Sequence, residues 1–123
     1  MALIQKRTRD DVFRQARGWG YELWLDNLPE YCAKILHVEA GKCGSSHFHM
    51  NKTETMLLIS GWVCIEFINP ESGSKYSVEL RPGESVLIPR GQVHQIIGLN
   101  ESEIVEFSTT HEESDSYRVR KGD

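Results

Sequence analysis

The sequence predicts an all-β fold in which about eight to ten short strands form a sandwich or barrel. One observation is the series of short segments rich in Val, Ile, Leu, Phe and Trp, several of which alternate with polar residues. The other is the recurrence of Gly, Pro, Asn, Asp and Ser between those segments, about every eight to twelve residues, as turns require. The length of 123 residues points to one domain.

The N-terminal residues 1–18 are polar, and we expect them to form an extension before the barrel. Within them, Thr8 followed by Asp11 has the spacing of a helix capping box, which predicts one or two helical turns over residues 8–16. Residues 18–20, Gly-Trp-Gly, would end such a helix.

The β-strands are predicted where apolar or alternating residues lie between turn residues. They are expected over residues 21–25, 31–40, 47–50, 54–60, 62–68, 76–80, 85–88, 94–97 and 103–108. The turns between them contain Gly, Pro, Asn or Asp, as at 26–29, 69–74, 81–84 and 89–91. Residues 19–110 would therefore form the barrel, and the polar residues 111–123 a C-terminal tail.

Composition and charge favour a cytoplasmic protein without a nucleic-acid or membrane partner. The formal net charge is −4 and the sequence pI is about 5.7, and basic residues cluster only near Lys6, Arg7 and Arg9. No apolar run approaches the ~20 residues that cross a bilayer, and the N-terminus lacks the apolar region of a signal peptide. The three cysteines are odd in number and form no CxxC pair, as expected of reduced thiols in the cytosol.

The strongest functional signal is a group of potential metal ligands. His47 and His49 are separated by one residue, so on a strand both imidazoles point to the same face. Glu54 follows after a further four residues, and His94 lies on a different segment. Three imidazoles and a carboxylate suit one divalent ion, Zn, Mn, Fe, Ni or Co. A single histidine is more often a surface or core residue, so the signal depends on the combination.

Two glycine-framed motifs around these residues resemble the two motifs of the cupin superfamily. The first has the spacing Gly41-x5-His47-x-His49-x4-Glu54-x6-Gly61. The second is Gly83-x5-Pro89-x-Gly91-x2-His94, and Gly98 stands where the family usually has asparagine. The resemblance implies a double-stranded β-helix of the jelly-roll type, a metal ion held by His47, His49, Glu54 and His94, and a homodimer.

Within that superfamily the sequence is most similar to the cupin domain of type II mannose-6-phosphate isomerases. The similarity rests on Arg17-Gly-Trp-Gly-Tyr-Glu-Leu-Trp24 and on a tail containing Ser-Tyr117-Arg-Val-Arg, although these aromatic residues could equally plug the end of a barrel. It implies a sugar or sugar-phosphate isomerase. The metal would hold two oxygens of an open-chain sugar, and a base would move a proton between C1 and C2.

The sequence does not assign the base or a phosphate-binding residue. Candidates for an inward-facing base are His37, Glu39, Glu66 and Glu106, yet alternating Glu on an antiparallel sheet usually faces water. Candidates for phosphate binding are Lys34, Lys52, Arg90 and Arg118, for which a surface position is equally expected.

Two other functions remain open at this point. The same ligand set holds Fe(II) or Ni(II) in cupin dioxygenases, and other cupins only bind a small ligand without catalysis. An isomerase should convert a sugar or sugar phosphate without oxygen, whereas a dioxygenase should consume O2 with Fe(II). A binding protein should do neither, but its melting temperature should rise with one ligand.

Overall fold

The structure is a computed structural model that describes residues 3–123, and within that range almost all regular elements are β-strands. The strands are, in chain order, β1 (Phe13–Arg17), β2 (Gly20–Asn27), β3 (Cys32–Val38), β4 (Ser46–Phe48), β5 (Glu54–Ser60), β6 (Val63–Ile68), β7 (Lys75–Leu80), β8 (Ser85–Ile88), β9 (His94–Gly98), β10 (Ser102–Ser108) and β11 (Tyr117–Arg120). Two 3-10 turns cover Arg9–Asp11 and Glu113–Asp115. The described range contains no helix of the length and apolarity needed to span a membrane.

The strands form two antiparallel sheets. One has six strands in the order β1-β2-β3-β10-β5-β8, and the other has five in the order β11-β4-β9-β6-β7. Strands far apart in sequence lie side by side, for example β3 beside β10, which is the connectivity of a jelly roll. The predicted all-β double-stranded β-helix is therefore confirmed, and each predicted strand overlaps one of β2 to β10.

The inward face of the six-stranded sheet changes from apolar to charged along its strands. Leu36 on β3 lies opposite Ile104 on β10, and both are buried in the aliphatic core between the sheets. Two residues along the same face, Lys34 lies opposite Glu106, and both are again buried. Glu54, at the start of β5, adds a third buried charge at this end. The period-2 alternation that builds the core thus also directs polar side chains into the barrel.

The helix predicted for residues 8–16 is wrong beyond its first turn. Thr8 and Asp11 do form the predicted contact, because the Thr8 amide donates to the Asp11 carboxylate at 2.8 Å. Residues 13–17, however, pair with β2 as an edge strand, and Phe13 packs edge-to-face on Trp24. A helix this short is marginal in water, so pairing with an existing sheet decides the conformation.

The C-terminal residues also contribute to the sheets, since β11 pairs with β4. The sequence predicted only a polar tail here, because charged residues alternate with the two apolar residues Tyr117 and Val119. In the structure Tyr117 stacks on Phe48 with ring centroids 5.2 Å apart. Residues 113–120 consequently lie against the segment that carries His47 and His49.

Two glycines near the site lie where a side chain would meet the backbone of a neighbouring segment. Gly61 has φ +93°, and a Cβ there would lie 2.3 Å from the carbonyl oxygen of Glu101. Gly98 stands where the family motif has asparagine, and a Cβ there would lie 2.6 Å from the carbonyl oxygen of Glu39. The departure from the motif therefore accompanies a close backbone approach that leaves no room for any side chain.

Candidate metal centre

Three histidines converge inside the barrel at the charged end. His47 on β4 is paired directly with His94 on β9, and His49 follows β4 by one residue. Each offers a ring nitrogen, and these nitrogens all lie within 4.8 Å of one another. His49 is 5% exposed and His94 1%. This cluster could hold a metal ion, as the alternation of strand residues predicts for His47 and His49.

Glu54 lies beside the cluster and leaves an unsatisfied polar pair. Its Oε1 atom is 2.9 Å from Nε2 of His94, yet neither atom makes a hydrogen bond of acceptable geometry, and both are fully buried. Buried polar atoms normally have a partner, because an unsatisfied one costs about 1–3 kcal/mol. A cation held jointly by a carboxylate oxygen and an imidazole nitrogen would satisfy both atoms, so the residues present fit a divalent metal.

The three imidazoles are oriented by backbone carbonyl groups. The acceptors are the carbonyl oxygens of Ser45, Gln92 and Asp115, at 3.0, 2.9 and 3.0 Å from Nδ1 of His47, His94 and His49, respectively. A carbonyl oxygen can only accept, so each Nδ1 carries the proton and donates it. In the neutral imidazole Nε2 is then unprotonated and free to bind a metal, an arrangement common among metal-ligating histidines.

The environment also keeps the imidazoles of His47 and His49 neutral. Burial, reinforced by His94 and His49, lowers the pKa of His47 to about 3. Burial and the nearby charge of Lys52 lower the pKa of His49 to about 4. Neutral imidazole is the form that binds metal, so both side chains are ready for an ion at pH 7.

A cavity of about 430 Å³ opens beside the cluster and is lined by His47, His49 and Glu54. Its volume is in the range of small-molecule sites. Its lining is partly charged, and Trp19 and Met56 supply apolar surface. The three ligand-type side chains therefore face a space large enough for a small polar molecule.

Lys52 connects Glu54 to Glu106 at the base of this cavity. Its Nζ atom lies 3.1 Å from Oε2 of Glu54 and 3.1 Å from Oε2 of Glu106, and all three side chains are at most 5% exposed. Burial alone would lower the pKa of Lys52, but Glu106 and Glu54 outweigh it and raise that pKa. Lys52 therefore remains an ammonium group between two carboxyl groups.

The two carboxyl groups differ in their environment. Burial opposes ionisation of Glu54, but its charged and polar neighbours, among them the ammonium group of Lys52 at 3.1 Å, outweigh burial and hold the pKa of Glu54 well below its usual range. Burial and the charge of Glu54 raise the pKa of Glu106, although Lys52 works against that shift. Two neighbouring carboxyl groups whose pKa values are shifted in opposite directions are typical of functional sites.

A second group of charged residues, Arg17, Glu22 and Lys34, also lines the cavity. Lys34 Nζ is 3.4 Å from Oε1 of Glu22 and lies over the ring of Trp24, 4.0 Å from its centroid. Trp24 Nε1 donates to Glu22 at 2.9 Å, and Arg17 Nε donates to the other oxygen at 2.8 Å. Burial opposes ionisation of Glu22, but Lys34 and Arg17 outweigh it and lower its pKa. These contacts fix charged groups in the lining of the cavity.

Some of the residues considered from sequence lie far from this cavity. His37 is on the outer face of the six-stranded sheet, where it stacks on Tyr21 and contacts the carboxylates of Glu101 and Glu103. Glu66 also lies outside, near Lys75. The remaining two outside the lining are the exposed Glu39 and Arg90.

The other candidates line the cavity: Glu106, Lys34, Lys52 and the exposed Arg118. A period-2 pattern could not separate the inward residues Lys34 and Glu106 from the outward residues His37 and Glu66, because all four lie in strands. The register between β3, β5 and β10 decides which face is inside.

The cavity also contains residues that the sequence did not suggest, notably His111 and Glu22. His111 accepts from Lys52 Nζ at 3.2 Å through Nδ1, and its Nε2 donates to Glu113 at 3.1 Å. Burial and the charges of Lys34 and Lys52 lower the pKa of His111. Its segment is polar without periodicity, so no local signal distinguishes it from a solvated tail.

The fold and site define a small jelly-roll barrel in which histidines from two strand regions could hold a metal ion beside an internal cavity. The sequence matches the family described as Cupin over residues 32–119, more than half of the chain. The chain therefore belongs to the cupin family. No curated protein sequence shows a significant match.

Solved structures share the fold at low sequence identity. Oxalate decarboxylase from Bacillus subtilis is 15% identical with a TM-score of 0.79, over 97% of this chain and 33% of that one. The capsular polysaccharide assembling protein CapF from Staphylococcus aureus is 20% identical with a TM-score of 0.77, over 89% of this chain and 34% of its own. CapF has also been solved with the inhibitor 3-isopropenyl-tropolone. The chain thus spans about a third of the length of these proteins.

Proposed function

We propose that the protein binds one divalent metal ion through His47, His49, Glu54 and His94 and acts as a sugar or sugar-phosphate isomerase. The observation that carries the proposal is the unsatisfied pair of Glu54 Oε1 and His94 Nε2, fully buried beside two further histidines. When bound, a divalent ion supplies Lewis acidity toward substrate oxygens. Zn, Mn, Fe, Ni and Co all accept this donor set.

The chain's own residues support proton transfer at this site. Glu106 is buried in the cavity wall, and its raised pKa brings it closer to the range of a general base at neutral pH. We assign it the role of taking a proton from one carbon of an open-chain sugar and returning it to the neighbouring carbon. Lys52 holds Oε2 of Glu106 in place at 3.1 Å and compensates its charge when it is ionised.

The cavity suits a polyhydroxylated ligand. Its lining includes the fixed polar groups of Lys34 and Glu22 and the indole of Trp19. The basic residues Arg17, Arg118 and Lys121 also line it and could bind a phosphate group. The name of CapF concerns polysaccharide assembly, which agrees with a carbohydrate ligand. At 20% sequence identity, the likeness between the two chains itself extends only to the fold.

The resemblance also leads us to propose a cytoplasmic homodimer. Support for the compartment comes from the cysteines, all three of which are free thiols. Support for association comes from the outer face of the six-stranded sheet, where Leu87 and Phe107 are 63% and 49% exposed. Sedimentation at several protein concentrations should give twice the mass of the chain, and a single-chain mass throughout would contradict the dimer.

Elemental analysis of untreated protein tests the metal site. We expect about one divalent ion per chain in the wild type and little in the double variant His49→Ala/Glu54→Ala, because two of four ligands are lost. The matched control is His37→Ala/Glu39→Ala, which removes the same residue types outside the cavity. Full metal occupancy in the first variant would refute the ligand assignment.

The metal-loaded protein tests the reaction. Hexoses, pentoses and their phosphates are screened for a thermal shift, and those that bind are assayed for anaerobic interconversion. Replacing Glu106 with Gln should reduce conversion about 100-fold or more while metal is retained, because the base is lost. The matched control Glu39→Gln makes the same change at an exposed position and should leave the conversion rate unchanged.

Other outcomes of that assay would replace the isomerase with another function. Oxygen consumption with Fe(II) would indicate a dioxygenase. A thermal shift without conversion would indicate a protein that only binds its ligand. Conversion that survives Glu106→Gln would keep the isomerase and refute Glu106 as its base.

A further inference from the structure

The three imidazoles of the candidate metal centre are oriented in two different ways. His47 and His94 each donate from Nδ1 to the carbonyl oxygen two residues earlier in their own segment. His49 donates instead to the carbonyl oxygen of Asp115, 66 residues later in the chain. The orientation of His49 therefore depends on a segment that contributes no proposed ligand.

The side chain of Asp115 binds the loop that joins two proposed ligands, His49 and Glu54. Its carboxylate accepts the backbone N–H groups of Met50, Asn51 and Lys52, at 3.0 to 3.1 Å. Asp115 is 5% exposed, so these hydrogen bonds are shielded from water. Three consecutive amides directed at one carboxylate define the path of the loop.

The segment that carries Asp115 is itself held against the site. Asp115 closes the 3-10 turn Glu113–Asp115, and the following strand β11 pairs with β4. Tyr117 stacks on Phe48, which lies between the two histidines. Asp115 does not line the cavity, so its influence on bound metal must pass through His49 and the loop.

We propose that Asp115 is a positioning residue of the metal centre. Its carbonyl oxygen sets the ring orientation and proton position of His49, and its carboxylate sets the distance between His49 and Glu54. The C-terminal segment 113–120 thereby holds His49 and the loop that leads to Glu54 in position. The inference rests on the proposed metal binding and adds a residue outside the ligand set to it.

The test compares Asp115→Asn with Glu112→Gln. Both changes convert a carboxylate to an amide within four residues of sequence, but Glu112 is exposed. The affinity for Zn²⁺ is measured by competition with a chelator, and the absorption spectrum of the Co²⁺-loaded protein reports the coordination geometry. We expect the Zn²⁺ dissociation constant of Asp115→Asn to rise about 10- to 100-fold with an altered Co²⁺ spectrum. Glu112→Gln should stay within about twofold of the wild type on the same scale.

A core variant distinguishes a specific effect on the metal centre from a general loss of stability. Ile65→Val removes a methyl group from a fully buried position on β6, away from the cavity. It should lower the unfolding midpoint without changing Zn²⁺ affinity or the Co²⁺ spectrum. If Ile65→Val weakens metal binding as much as Asp115→Asn does, the positioning role is refuted.

The wild-type protein provides a test that does not depend on the folding of a variant. Long-range ¹⁵N–¹H spectra identify the imidazole tautomers, and the proton of His49 should be on Nδ1 both with and without Zn²⁺. A proton on Nε2 of His49 would overturn the inference.

Failures of the two proposals are distinguishable. Wild-type protein that binds neither Zn²⁺ nor Co²⁺ overturns the metal site and this inference with it. Tight binding by both the wild type and a folded Asp115→Asn overturns the inference alone.

Discussion

Between Glu54 and Glu106, the single ammonium group of Lys52 balances two buried carboxyl groups. Buried charges are tolerated only when they are paired and hydrogen-bonded, because removal from water is costly. The sequence placed Lys52 among possible phosphate-binding residues. The structure places its Nζ atom against two carboxylates and His111 instead, so its first role is to permit acids inside the barrel.

We predict that Lys52→Met destabilises the metal-free protein by about 3–5 kcal/mol, because it leaves two buried carboxyl groups without a cation. Urea denaturation of the chelator-treated protein measures the free energy of unfolding. Lys75→Met serves as the control, since Lys75 is 52% exposed and lies 3.6 Å from Glu66. It should change stability by less than about 1 kcal/mol. Equal effects of the two substitutions would contradict the importance of the buried pair.

The turn between β5 and β6 shows how a local element controls the fold. At this turn, Gly61 passes the chain from the six-stranded sheet to the five-stranded sheet. It combines a positive φ with a close approach to the backbone of Glu101 and Ser102. The sequence motif predicted a bend at this glycine, and the structure adds the steric reason that no other residue fits.

We expect Gly61→Ala to destabilise the protein by about 2 kcal/mol or more, because left-handed strain and a clash with the carbonyl of Glu101 combine. Gly73→Ala is a matched control: Gly73 has φ +74°, but its Cβ would meet nothing within 4 Å. That control should lose only about 1 kcal/mol from backbone strain. Thermal and urea unfolding of both variants measure the difference, and equal losses would show that the close approach is unimportant.

For the molecule as a whole, the outer face of the six-stranded sheet makes part of the free energy of unfolding depend on pH. His37 lies there between Glu101 and Glu103, and its side chain is 24% exposed. Burial works against its protonation, but the two carboxylates outweigh burial and raise the pKa of His37. A raised pKa in the folded state means that the folded protein binds a proton more tightly than the unfolded chain.

The stabilisation from His37 should therefore be complete below a pH of about 6.5, the value for an unfolded histidine. It should disappear as the pH rises through the higher pKa of the folded protein. We predict that His37→Gln lowers the free energy of unfolding more at pH 5.5 than at pH 8.5. Subtracting the variant from the wild type at each pH cancels the contribution of the other histidines. A difference that is constant across this range would contradict the prediction.

The four residues proposed as ligands were accessible from sequence because they follow local spacing rules. The spacing of His47 and His49 places them on one face of a strand, and the spacing of the first motif adds Glu54. His94 lies on a distant segment, and only the spacing of the second motif connected it with this pair. The assignment of all four residues as ligands stays a prediction.

Other parts of the site depend on contacts between distant segments. Asp115 and His111 lie in a polar segment with no periodicity, and their environment is created by loops and strands more than 50 residues earlier. Residues 13–16 carry a helix signal but pair with β2, because a preformed sheet edge offers hydrogen bonds that a short helix cannot match. Local patterns contain no information about such partners.

By itself the sequence determined an all-β chain, the approximate positions of its strands and the four residues proposed as ligands, because strand patterns and motif spacing act over a few residues. Only the tertiary structure decided that Glu106, Lys34 and Lys52 lie inside while His37 and Glu66 lie outside, and that the C-terminal segment closes on the histidines. The reason is that the facing of a strand and the partner of a buried charge are set by register across the sheet, between residues far apart in the chain.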